Sequence, residues 1–220
     1  MHHRPQLPEI DNHTTKLIVG VIALCLASLT NLLAETRPLE SISASYWDTG
    51  YWSRNIFVGS LFAIAAFLLS YNGHSKAQMV LSKVAAVAAV CVALFPCGCG
   101  DLTRQIVPKI HYFSAAVMFA ILAIFCYSFF CRAWPKGTAR ARLRAVIYAL
   151  CGIVIVAAIA LMLVDKINGG SVSVRYNQFT FRAEACALVA FGVAWLTASR
   201  KLPVLTSAED RVPMFPASNH

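Results

Sequence analysis

The chain has 220 residues, enough for one domain. Its 58% hydrophobic and 13% charged content departs from the roughly 45–50% apolar and about 25% charged usage of soluble domains, which excludes an ordinary water-facing globule. The formal net charge of +9 does not mark a nucleic-acid partner, because the basic residues lie between apolar runs and not on one polar face.

A helix crossing about 30 Å of hydrocarbon needs roughly 20 mostly apolar residues, since every backbone polar group must be satisfied within the segment. After a polar tail, 1–15, the first such run covers about 17–34. Leu32-Leu33-Ala34 lacks the small residues of a leader cleavage site, so this run is expected to remain as a span. The next runs cover about 55–71 and 79–96, with Lys83 near one end of the latter and able to snorkel to the headgroups. Two more cover about 112–131 and 145–164. The last run is apolar only from Ala185 to about Ala198, so a full crossing over 180–198 recruits Phe181, Arg182, Ala183 and Glu184. The expected architecture is all-α, a bundle of six transmembrane helices within 16–201, followed by a polar tail, 202–220.

Small residues four apart, Gly59 with Ala63 and Ala85 with Ala89, predict close helix contacts in lipid. Lys and Arg divide about 12 to 7 in favour of the side holding both tails, with the loop from Arg132 to Arg144 densest. The positive-inside rule therefore puts both termini in the cytoplasm, with the plasma membrane the expected location. Tyr46, Trp47, Tyr51, Trp52, Tyr112, Tyr176 and Phe179 mark the opposite boundary as an aromatic belt.

Polar chemistry gathers on that outer side. The first loop carries Ser41, Ser43, Ser45, Asp48 and Arg54; the third carries Cys97, Cys99, Asp101 and His111; the fifth leads into Glu184. A carboxylate within the bilayer is costly, so Glu184 is expected to face the bundle, to pair with Arg54 or Arg182, or to be protonated. Residues 182 and 184 stand roughly 200° apart on a helix, which makes Arg182 the weaker partner and turns it outward. His111 reads either as a general base or metal ligand, or as a polar cap or headgroup contact at a helix start. Asp48-Thr49-Gly50 also reads as a simple turn. Cys97-Gly98-Cys99 is one residue short of the usual C-x₂₋₄-C zinc spacing, so no metal is expected. The remaining six cysteines lie in or at the ends of apolar runs, as small core or lipid-facing residues. No G-x-S-x-G, H-E-x-x-H or G-x-x-x-x-G-K-[ST] pattern occurs, and no cofactor is expected.

Several segments resemble a family of small polytopic prokaryotic membrane proteins catalogued as domain of unknown function 998. They are Ser41-Ile42-Ser43-Ala44-Ser45-Tyr46, Arg54-Asn55-Ile56-Phe57-Val58-Gly59, Val92-Ala93-Leu94-Phe95-Pro96, His111-Tyr112-Phe113-Ser114-Ala115, and Glu184 followed by Ala190-Phe191-Gly192-Val193-Ala194-Trp195-Leu196. The resemblance implies a six-helix membrane fold and no particular activity. The family's third span typically ends Phe-Pro-Thr, whereas Cys97 follows Phe95-Pro96 here.

The expected function is binding of a lipid headgroup or small amphiphile in an outward-facing pocket built from Asp48, Arg54, Asp101, His111 and Glu184. A membrane-embedded lipid hydrolase or transferase using His111 and a carboxylate is the alternative. A small proton-coupled transporter centred on Glu184 is the third.

Overall fold

The computed structural model describes residues 11–35, 38–98, 106–202 and 205. Among these the chain is helical: α1 (Asn12–Leu33), α2 (Trp52–Ser70), α3 (Lys76–Leu94), α4 (Ile106–Ala133), α5 (Ala139–Ile167), the short α6 (Ser171–Arg175) and α7 (Phe179–Ala198), with 3₁₀ turns at Ser43–Trp47 and Trp134–Lys136. Six of these helices are long and apolar enough to cross a membrane, and they form an all-α bundle.

Local chemistry sets the ends. Helices α1, α3 and α5 begin upstream of their apolar runs because a polar side chain caps each one. Asp11 accepts the N–H groups of His13 and Thr14, Ser75 that of Gln78, and Thr138 that of Ala141. Helix α3 stops at Leu94, one residue before Phe95-Pro96, where the ring disfavours a helical residue ahead of it and supplies no N–H. Lys83 does more than snorkel. Its Nζ donates to the Leu69 carbonyl and to the carbonyl of Tyr71 at 3.3 Å, satisfying orphan acceptors at the C-terminus of α2.

Each long helix packs on its sequence neighbours, and α7 closes the ring against α1 and α5. The two ends of the described chain meet, since His13 Nδ1 lies 3.0 Å from the Ser199 carbonyl oxygen. This terminal end of the bundle also holds the α2–α3 and α4–α5 turns. The α1–α2, α3–α4 and α5–α7 connections lie at the other, loop end.

With no hydrophobic drive between helices in lipid, close packing rests on small residues. Gly20 and Gly192 face each other across α1 and α7, and a Cβ on Gly192 would stand 2.9 Å from the Gly20 carbonyl oxygen and 2.8 Å from Leu24 Cγ. Ala85 and Ala89 are fully buried as expected. Gly59 corrects its expectation: a Cβ there would meet nothing within 4 Å, so this face of α2 is open. A Gly-x₃-Ala spacing fixes which residues share a face, not whether a partner helix covers it.

The terminal half of the core is aromatic. Trp195 is tilted over Phe191 at 5.1 Å and over Tyr71 at 5.3 Å, and meets Phe125 edge-on at 5.7 Å. Helix α5 is the most peripheral, with 22% of its apolar window buried against 33–44% for the other five. Its outer face of Leu150, Ile153, Val156 and Leu161 is the surface lipid would cover.

Candidate functional site

At the loop end the carboxylates engage backbone amides. Glu184 lies in the second turn of α7, and its Oε2 accepts the Ile42 N–H at 2.6 Å. The Ser43 amide donates to the same carboxylate. These are the first donors of the 3₁₀ turn Ser43–Trp47, so Glu184 caps that turn from a distant helix. Beside it, the Phe181 N–H donates to the Glu40 carbonyl at 2.9 Å, which doubles the tie between α7 and the first loop.

Asp48 is buried, and its two carboxylate oxygens stand 3.1 and 3.3 Å from the Glu35 amide nitrogen just past α1. Asp165 accepts the Val172 N–H at 2.7 Å and caps α6. Three acidic side chains thus order two connections, Glu184 and Asp48 the α1–α2 loop and Asp165 the α5–α7 segment.

Arg54 lies over the rings of Tyr51 at 4.9 Å and Tyr46 at 6.0 Å, a cation–π cage within the first loop. Arg182 is exposed and reaches Gln178 Oε1 at 3.4 Å, turned outward as its helical angle requires. Neither is the partner of Glu184, whose ligands are neutral amides. Asp101, with Cys99, lies outside the described residues.

His111 is 3% exposed, deeper than a headgroup contact. Its Nδ1 stands 2.7 Å from the Phe95 carbonyl oxygen, and because a carbonyl only accepts, Nδ1 carries the proton. Val92 contributes a second carbonyl. His111 therefore caps the C-terminus of α3, where Pro96 ends the intrahelical ladder.

The two capping side chains converge. Glu184 and His111 both line one narrow, partly open cavity whose other walls include Leu26, Phe57, Leu61, Met118 and Phe119. Every long helix except α5 contributes to it. Ser43 joins the polar rim, and Cys97 lies close to the Glu184 carboxyl while its carbonyl accepts the Trp47 indole N–H at 3.1 Å. Of the five expected pocket residues, the structure brings together Glu184 and His111 and directs Asp48 and Arg54 elsewhere, since both are already engaged within the first loop. Ser43 gave no signal in sequence beyond its place in a serine-rich loop.

The arrangement sets the His111 ring, whose Nδ1 proton is held by the Phe95 carbonyl, and the Glu184 carboxyl above an apolar slot. Among the described residues no group of three or more His, Cys, Asp or Glu side chains is placed to hold a metal ion. The fold and this cavity define a multi-pass α-helical membrane protein with a polar-headed slot near one end. No protein-family model, curated protein or solved structure matches the chain.

Proposed function

We propose that the protein binds a slender amphiphile at the loop end of the bundle. Its polar end rests against Glu184, His111 and Ser43, and its apolar part lies along Phe57, Leu61, Met118 and Phe119. The observation that carries this reading is the shared cavity: two ionisable side chains from different helices face one otherwise apolar slot. Glu184 and His111 fix the rim through their backbone contacts, which pre-organises the polar end for a ligand.

The loop end faces outward in this reading, with both termini in the cytoplasm of a cell whose plasma membrane hosts the chain. The 12 to 7 division of basic residues supports that orientation. Kinship with the domain of unknown function 998 family rests on the segments quoted above.

Native mass spectrometry of the full chain extracted in mild detergent tests the binding. The wild type is expected to retain an amphiphile. Ala115→Phe, which fills the slot from α4 and leaves both caps in place, is expected to release it without loss of thermal stability. No retained amphiphile in the wild type, or equal retention in Ala115→Phe, would overturn the reading.

A further inference from the structure

The opposite end of the bundle holds a second chamber of different chemistry. Its lining includes Lys16, Arg132, Lys136, Arg144 and Arg200, together with His13 and His74. Phe129 and Tyr148 form its aromatic floor. Among the described residues the lining contains no Asp or Glu. Five cationic side chains from α1, α4, α5, the 3₁₀ turn after α4 and the segment after α7 thus meet around one space.

Basic residues at a cytoplasmic boundary ordinarily point into water or headgroups. Lys16 does not. It is 2% exposed, and its Nζ lies 5.4 Å from the Tyr71 ring centre and 5.6 Å from that of Phe129. Two ring faces offset only part of the cost of removing an ammonium from water. Arg144 is 3% exposed. Arg200 takes the left-handed conformation at φ 54°, rare for a side chain with Cβ, and its side chain still reaches the chamber.

The neighbouring acid, Asp11, acts on Lys16 only as the last of four influences, behind burial, Arg132 and Arg200. Asp11 accepts from the N–H groups of His13 and Thr14 and from the Thr14 hydroxyl, and stands 3.9 Å from Lys201 Nζ. Lys201, outside the lining, is the cation paired with that carboxylate. Within the chamber Arg144 donates to the Leu205 carbonyl at 2.8 Å, while the charges of Arg132 and Arg200 oppose that of Lys16.

We propose that this chamber is a binding site for a phosphate monoester dianion, presented either by a lipid headgroup or by a free phosphate. Arginine guanidinium groups match phosphate oxygens in paired hydrogen bonds, and Lys16 adds a point charge from below. A dianion would offset the repulsion of Lys16 by Arg132 and Arg200 and set a counter-charge against the buried ammonium. The aromatic floor closes the site on its inner side, so the ligand enters from the terminal end and stays there. The field of the cluster reaches the nearby α2–α3 turn. Burial first, and then Arg132, Lys16, Arg200 and His13, push His74 down to about 4.

The test uses the full chain purified in an uncharged detergent, with two probes. Thermal unfolding is followed against inorganic phosphate, and native mass spectrometry follows protein reconstituted in phosphatidylcholine with or without phosphatidic acid. Stabilisation that saturates with phosphate supports the site and names a free phosphate as a source, while selective retention of phosphatidic acid supports it and names the lipid. Lys16→Met and Arg200→Gln are each expected to weaken the response about tenfold or more. Arg175→Gln, an exposed cation at the loop end, is expected to leave it unchanged. Lys16→Met also removes a buried charge, so it is expected to unfold at a higher temperature than wild type without phosphate, which separates lost binding from lost folding. The proposal is overturned if neither probe binds, or if both chamber variants respond as wild type does.

Discussion

Glu184 accepts the backbone N–H of Ile42 at 2.6 Å, joining positions 142 residues apart. This contact fixes the first loop to α7 and thereby sets one wall of the slot. A buried amide that loses its acceptor costs about 1–3 kcal/mol. Glu184→Ala is therefore expected to lower stability by about that amount, whereas Glu184→Gln, which keeps an acceptor oxygen, loses less than half of it. Thermal unfolding in detergent separates the two.

His111 has the complementary duty at the end of α3. His111→Leu leaves the Phe95 carbonyl without its ring donor and is expected to cost about 1–3 kcal/mol, with His111→Gln partly restoring the bond. Hydrogen exchange of the α3 C-terminal amides should rise in the leucine variant and less in the glutamine variant.

The Gly20–Gly192 crossing makes a contrast with Gly59. A methyl on Gly192 would press on the Gly20 carbonyl and Leu24, so Gly192→Ala is expected to destabilise by about 1–3 kcal/mol through overpacking. Gly59→Ala meets open space and is expected to gain roughly 0.5–1 kcal/mol from reduced backbone entropy in the helix. Equal effects at both positions would contradict the packing described for α1 and α7.

His74 carries a pH signature. Its folded value is pushed to about 4, chiefly by burial and then by the chamber's cations, against an ordinary value of 6.5. Between these values the unfolded chain binds the proton and the folded chain does not, so stability falls as pH drops from about 6.5 towards 4 and is fully present above. His74→Gln is expected to flatten that decline, and titration of the labelled His74 ring should place its midpoint well below 6.

How much of this was legible in sequence follows from which interactions leave residue-type signals. The six crossings were legible because each needs a long uncharged run, and Glu184 stood out because the last run is too short without it. The outward turn of Arg182 followed from helical angle alone. The partners of Glu184 and His111 were not legible, since both are backbone groups and a main-chain amide or carbonyl is the same at every position. Arg54 sits on Tyr46 and Tyr51, rings whose place at a span end reads in sequence as membrane belt. Lys16 reads in sequence as a topology charge, because nothing in a run of Thr15, Lys16 and Leu17 tells a buried ammonium from a solvated one; its burial depends on Tyr71, just past α2, and Phe129 of α4.

Orientation is open to a direct check. A fluorescent protein fused after residue 220 is expected to mature, and alkaline phosphatase inserted near residue 170 to be active, if the terminal end is cytoplasmic. The reverse pattern would turn both cavities to the opposite compartments.

The most direct measurement for the slot is photocrosslinking in cells with a single-chain amphiphile that bears a diazirine in its tail, followed by mapping of the modified residues. Label is expected on Leu61, Met118 and Phe119, inside the bundle, and is expected to disappear from them in Ala115→Phe. Label confined to outward positions such as Ile153 and Val156, with none inside the bundle, would contradict binding in the slot.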